Sequence, residues 1–274
     1  MGEKFYKMVG SGNDFVMLDG RESRLEDWPS ERISRVCDRR YGVGADGMIL
    51  LEPLKPGAVR MHYFNSDGGR AALCGNGSLC STTLSLRLGF VDSNLKLDLH
   101  TDAGLLRTRA DSDGLGGELN FPDFPVPVRV AIAAQGGETG RAWLADIGVP
   151  HLVVEVTDLT QVDVANRGRE LRFDKKFGPA GTNVNFVSPL SHDPGATWSV
   201  RTYERGVEGE TLACGTGTVC AAFSLASESA RLPLCFKTTG GGTLEVAGSI
   251  LAGNCRGVWL RGEGRLVYTG ELAE

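Results

Sequence analysis

The sequence predicts an α+β protein made of two related halves, and three observations carry that reading. The heptapeptide C-G-N-G-S-L-C from Cys74 to Cys80 returns as C-G-T-G-T-V-C from Cys214 to Cys220. Each copy follows a strand-like run, VRMHYF or WSVRTY, and opens a segment compatible with a helix. Between them, NFPDFPVPV over Asn120 to Val128 holds three of the eleven prolines, which neither a helix interior nor a central strand accepts. That stretch divides the chain into a first half ending near residue 122 and a second starting at 123.

In chain order, Ser30 after Pro29 is expected to N-cap a helix whose apolar row is Ile33, Val36 and Cys37. VMLD and MILLE alternate as strands do, and the helix after Cys74 sets Cys80 in one row with Leu84 and Leu88. LKLDLHT, HLVVEV, NVNFVSP, TLEVAG and the terminal pair within GVWLRGEGRLVYTGEL read as further strands. The second long helix follows Cys214, with Cys220 packed near Phe223 as a small apolar group. A weaker echo pairs Asn13-Asp14-Phe15-Val16 with Val184-Asn185-Phe186-Val187. The result is strand-rich, with one long helix per half.

Composition narrows the function. The 274 residues, 41% hydrophobic and 23% charged, can bury a sizeable core, which excludes disorder and collagen-like repeats. A net charge of −5 argues against a nucleic-acid or anionic-membrane surface and for a small-molecule partner. The first residues hold no apolar run of signal-peptide length, and no stretch of about 18 apolar residues occurs, so a cytoplasmic location away from membranes is expected. In that reducing compartment the seven cysteines read as thiols.

A cysteine placed just before Gly-x-Gly at a helix start has a chemical logic. The unpaired amides and positive end of the helix favour a thiolate and bind an anion, and are expected to lower the thiol pKa from about 8.5. Glycines let a carboxylate approach the amides of Gly75 and Asn76, or of Gly215 and Thr216. If the halves fold alike and pack about a pseudo-twofold axis, Cys74 and Cys214 face each other. One thiolate then removes an α-proton while the other thiol delivers a proton to the opposite face, inverting the centre without a cofactor.

Six ordered stretches, GSGNDFVMLDG, RRYGVGADG, YFNSDGGRAALCGNG, PHLVVEV, GTNVNFV and YERGVEGETLACGTG, resemble those of the diaminopimelate epimerases. These are pyridoxal-independent isomerases of lysine and cell-wall biosynthesis. The resemblance implies conversion of LL-2,6-diaminopimelate to the meso form by a cysteine pair, Cys74 and Cys214, that exchanges acid and base roles with direction. It implies that Gly75, Asn76, Gly215 and Thr216 hold the reacting carboxylate. Asn13, Asn65, Asn183, Glu204 and Arg205 then make the remaining contacts, with Arg205 gripping the distal carboxylate. His151 and Glu204 are expected to tune thiol protonation, with no cofactor and no metal. The fold implied is two pseudo-symmetric domains, each a mainly antiparallel sheet wrapped around a central helix, with the site in the cleft. Residues 1–122 with the return of 262–274 form one domain, residues 123–261 the other, and the assembly is a homodimer.

Some positions depart from the family pattern. Val149-Pro150-His151 replaces a common Asn-Pro-His, Gly47 stands where some members carry a polar side chain, and Gly206 to Thr211 is one residue longer than usual. An epimerase or racemase of another amino acid, histidine or proline, is the alternative on the same fold. From a different class, Cys74, Cys80, Cys214 and Cys220 could form a structural zinc site, although C-x5-C exceeds the usual knuckle spacing. Gly42 to Gly47 fits G-x-G-x-x-G, but the apolar run follows the glycines instead of preceding them, so a turn is the better reading.

Overall fold

The computed structural model describes residues 2–190 and 197–273, and the chain divides into two units, Met1–Asn120 with Arg261–Glu274, and Phe121–Leu260. In the first, β1 (Glu3–Gly10) and β2 (Asn13–Asp19) pair as a hairpin before α1 (Ser30–Cys37). β3 (Gly47–Lys55) and β4 (Ala58–Asn65) form a second hairpin, and the short β5 (Arg70–Ala71) leads into α2 (Gly75–Leu88). β6 (Lys96–Thr101), β7 (Gly104–Ala110) and β8 (Gly116–Phe121) continue as an antiparallel meander.

The second unit opens with β9 (Phe124–Pro125), β10 (Val128–Arg129), β11 (Glu138–Asp146) and β12 (Pro150–Val156), followed by α3 (Val164–Arg172). β13 (Asn183–Pro189), β14 (Trp198–Glu204) and β15 (Gly209–Thr211) lead into α4 (Gly215–Ala226). β16 (Leu234–Thr238), β17 (Thr243–Leu251) and β18 (Asn254–Glu263) follow, and β19 (Arg265–Leu272) pairs with β1 in the first unit. The α+β class read from the sequence is therefore the class observed.

Both units use one connection pattern. β2 runs parallel to β3 and β4 parallel to β6; likewise β12 runs parallel to β13 and β14 parallel to β16. The registers match as well, since Phe15 pairs with Gly47 as His151 pairs with Asn183. This corrects the weaker echo expected between Asn13–Val16 and Val184–Val187. The counterpart of β2 is β12, and that of β13 is β3. The two tetrapeptides look alike because each opens a buried strand, which is a property of burial rather than of duplication.

The central helices explain the apolar bias of the strands. α2 is buried from Asn76 to Ser85, and β1 to β4, β6, β7 and β19 pack around it. Its polar residues turn inward onto their own helix, with the Ser78, Ser81, Thr82 and Thr83 hydroxyls each donating to the carbonyl four residues earlier. Phe15, Met17 and Ile49 join Cys80 and Leu84 on that side, while Val16, Leu18 and Met48 pack on the other face with Ile33 and Cys37 of α1. Both faces of β2 and β3 are thus covered. α4 is buried from Gly217 to Leu225 and packs on β11 to β14 and β17. One local expectation fails: Ser30 lies inside the first turn of α1, Pro29 takes the cap position, and no side chain caps that helix.

Candidate functional site

In the first unit Cys74 is the N-cap of α2, with extended backbone at φ −139° and its sulfur accepting from the Gly77 amide at 3.4 Å. A Cβ at Gly77 would lie 2.9 Å from Ile49 Cδ1 and 3.2 Å from Met61 Cε, so a larger residue here would push those two side-chain ends aside. At Gly75 a Cβ would meet no neighbouring group within 4 Å, which leaves space beside the helix start. Asn76 Nδ2 donates to Asn13 Oδ1 at 2.7 Å, and Asn13 Nδ2 donates in turn to Asp46 Oδ2 at 2.9 Å. Asp46 is itself held by Arg39 Nη2 at 2.8 Å.

Tyr63 supplies a group the sequence reading passed over. Its hydroxyl donates to Asn65 Oδ1 at 3.0 Å and lies against the Cys74 thiol; burial, and then the neighbouring sulfur, push the phenol pKa up. The Tyr63 ring also accounts for Gly47, where a Cβ would come within 2.9 Å of Tyr63 Cε2 and 2.5 Å of the Phe64 carbonyl. Asn65 itself is exposed, in the turn whose Gly68 amide donates to its carbonyl. Asp67-Gly68-Gly69 is that turn, as the sequence suggested.

In the second unit Cys214 precedes α4, and Gly217 packs so tightly that a Cβ would lie 2.1 Å from Asn185 Oδ1. The Thr216 hydroxyl sits 3.5 Å from the Cys214 sulfur. Although Cys214 keeps some solvent contact, desolvation by surrounding atoms, followed by the Glu204 carboxylate, pushes its thiol up to about 11. The Thr216 hydroxyl and the helix-start amides pull the other way and lose. The lowered thiol pKa expected from the helix end is therefore corrected for Cys214: packing removes more solvation than those donors return.

Glu204 is half-buried, and loss of water raises its carboxyl pKa. Asn183 Oδ1 accepts the Arg205 amide at 2.8 Å and its Nδ2 donates to the Pro150 carbonyl at 3.1 Å, so β12, β13 and the end of β14 are tied together. Among the described residues no carboxylate pairs with the Arg205 guanidinium. His151 is fully buried, and burial, with a smaller push from Arg205, lowers its pKa to about 3. A neutral imidazole cannot stabilise a thiolate by charge, which redefines the protonation-tuning role expected of it.

The structure thus gathers Cys74, Gly75, Asn76, Asn13 and Asn65 in the first unit, and Cys214, Gly215, Thr216, Asn183, Glu204, Arg205 and His151 in the second. Asp46, Tyr63, Asn185 and Thr202 were missed. The alternation of β4, β13 and β14 could have placed the last three, but their partners lie far apart in the chain. Among the described residues no group of three or more His, Cys, Asp or Glu side chains comes together as a metal site. Cys80 and Cys220 of the zinc alternative are both fully buried within helices. Gly42 to Gly47 lies between a helix and a strand, the reverse of the dinucleotide order.

Comparison with known proteins adds the family. The family model described as diaminopimelate epimerase matches residues 5–119 and 143–250. A diaminopimelate epimerase of Gemmatimonas aurantiaca is 44% identical, over 98% of this chain and 99% of its own. One from Aquifex aeolicus is 39% identical over 99% and 98% respectively. Among solved structures, a phenazine biosynthesis protein of the PhzF family from Enterococcus faecalis superposes with a TM-score of 0.70 at 16% identity, covering 100% of both chains. A hydroxyproline epimerase from Agrobacterium vitis gives 0.64 at 18% identity, covering 99% of this chain and 92% of that one. These two share the fold.

Proposed function

The chain belongs to the diaminopimelate epimerase family, and we propose that it inverts one centre of LL-2,6-diaminopimelate through two thiols, Cys74 and Cys214, without a cofactor. It is an isomerase of lysine biosynthesis. The observation that carries the mechanism is the repeated placement of a cysteine immediately before glycine at the start of a buried helix.

At neutral pH Cys214, with its pKa near 11, is a thiol and acts first as the acid. Cys74, whose sulfur already accepts the Gly77 amide, takes the α-proton. The substrate carboxylate lies on the amides of Gly75, Asn76, Gly215 and Thr216, whose fixed dipoles stabilise the enolate-like charge as it develops. Inversion requires that one thiol serve each face of the α-carbon. In the reverse direction the two exchange roles. Arg205, without a carboxylate partner among the described residues, takes the distal carboxylate, while Asn183 fixes the Arg205 backbone. Asn13 and Asn65 contact the remaining polar atoms of the substrate. Glu204 keeps Cys214 protonated by placing negative charge beside it. A homodimer in the cytoplasm completes the reading, on the strength of the family resemblance.

The test is isotopic. Protein incubated with LL-diaminopimelate in heavy water, without added pyridoxal phosphate, is expected to yield the meso isomer carrying deuterium at one α-carbon. Inversion without solvent deuterium, or a requirement for pyridoxal phosphate, overturns the mechanism. A panel of proline, histidine and lysine beside diaminopimelate decides the substrate, and faster turnover of a monocarboxylate would show that Val149 marks an altered distal pocket.

A further inference from the structure

Three buried side chains behind the second cysteine loop fix where His151 carries its proton. Asn185 is fully buried and every polar atom of its amide is engaged. Its Nδ2 donates to the Leu152 carbonyl at 3.1 Å and meets His151 Nδ1 at 3.2 Å, while its Oδ1 accepts the Thr202 hydroxyl at 2.9 Å. The Leu152 carbonyl decides which end of the amide is nitrogen, because a carbonyl only accepts, and a flipped amide would set two oxygens against each other. An amide N–H can be met at Nδ1 only by a lone pair, so the imidazole proton resides on Nε2.

Nε2 is buried and has no hydrogen-bond partner among the described residues. A buried donor left unpaired costs about 1–3 kcal/mol, so an acceptor that reaches Nε2 would be bound favourably. The first unit shows that the fold itself does not need this polar layer. There the matching strand positions hold Phe15, Ile49 and Tyr63, and Ile49 replaces the amide against the helix glycine.

We infer that Asn185, braced by Thr202, is a positioning residue that holds His151 as a neutral Nε2–H donor for an acceptor that arrives with the substrate. The inference rests on the epimerase reading above. It separates two uses of a histidine: this one gives a hydrogen bond and transfers no proton, leaving the chemistry to the thiols. The low pKa that burial imposes on the imidazole fits such a fixed donor.

Histidine-selective 15N labelling of the full-length protein reads the tautomer directly. At neutral pH His151 is expected to show a protonated Nε2 and an unprotonated Nδ1. Asn185→Asp presents an acceptor in place of the donor, and is expected to move the proton to Nδ1 and lower kcat/KM by about 100-fold, the scale of losing one fixed donor. Should that variant fail to fold, the near-isosteric Thr202→Val removes the brace on the amide oxygen while the Leu152 carbonyl still orients the amide, and is expected to keep the proton on Nε2 with a several-fold lower kcat/KM. A kcat/KM within about twofold of wild type removes Thr202 from the positioning role. Wild type with the proton on Nδ1, an imidazolium at neutral pH, or a tautomer switch with kcat/KM within about twofold of wild type overturns the positioning role. Wild type that shows the expected tautomer but exchanges no proton into LL-diaminopimelate overturns the epimerase reading, and the donor role with it.

Discussion

Phe15, Ile49 and Tyr63 in the first unit stand at the strand positions that His151, Asn185 and Thr202 occupy in the second. Each trio lies under a helix that starts with cysteine and two glycines. In the first, Phe15 and Tyr63 meet edge to face, and only the tyrosine hydroxyl, at Asn65 and Cys74, is polar. In the second, the trio is a hydrogen-bonded chain sealed from water. The backbone needs a small residue and a close approach there and nothing more, so the polar layer under Cys214 belongs to the chemistry. The same contrast gives the two thiols different neighbours: a phenol beside Cys74, a carboxylate beside Cys214.

The comparison breaks most severely if one loop proves dispensable. Cys74→Ala and Cys214→Ala are each expected to lower kcat by roughly 1,000-fold, within the range of a positioned acid or base, with far-UV circular dichroism unchanged. Steady-state epimerisation checks this. Full activity in either variant would mean that one loop is only structural.

Making the second unit resemble the first is the next test. His151→Phe alone strands the Asn185 amide, at a cost of about 1–3 kcal/mol in urea unfolding. The double variant His151→Phe with Asn185→Ile removes both members of the His151–Asn185 bond, though it leaves the Thr202 hydroxyl without its acceptor, and should recover part of that stability, but kcat/KM should stay near 100-fold down. pH adds a second reading. His151 is neutral in the folded protein with a pKa near 3, whereas the unfolded chain binds a proton near 6.5. The unfolded state therefore holds more protons below that value. Stability falls as pH drops from 6.5 toward 3, at up to about 1.4 kcal/mol per unit, and the double variant should lose that slope. Phe15 contributes no such slope to the first unit.

The helix glycines sharpen the comparison further. Gly217→Ala drives a methyl toward a fixed amide oxygen at 2.1 Å, whereas Gly77→Ala meets a movable isoleucine methyl at 2.9 Å. Both should destabilise by about 1–3 kcal/mol, Gly217→Ala by more, as thermal melts would show.

What the sequence disclosed follows the range of the interactions involved. The duplicated loops, the helices behind them and most strands were legible because periodicity and turn residues act over a few positions. The cysteines and their glycines stood out for the same reason. The counterpart of β2 was misread as β13 instead of β12, since register is set by partners distant in the chain and apolar strands look alike. Asn185 and Thr202 passed unnoticed because an amide and a hydroxyl within buried strands give no local signal. The raised thiol of Cys214 was invisible for a related reason: helix-start donors are written beside it, while the desolvating atoms come from the rest of the unit.

The smallest effect concerns how the first unit orients its own amides. Asn13 is fixed at both ends, receiving Asn76 Nδ2 at 2.7 Å and donating to Asp46 at 2.9 Å. Asp46 can only accept, so it forces the Asn13 nitrogen toward itself and leaves the oxygen to Asn76 at the helix start. Asp46→Asn can both give and accept, and permits the amide to turn over. The expected cost is part of one hydrogen bond to a charged group, about 1 kcal/mol, seen as a roughly fivefold rise in KM with kcat held. Combined with Asn13→Ala it should add less than twofold, because the carboxylate then has no amide to orient. Additive losses would place Asp46 with Arg39 as scaffold alone, and would leave the second unit as the half whose binding groups are set by buried polar partners.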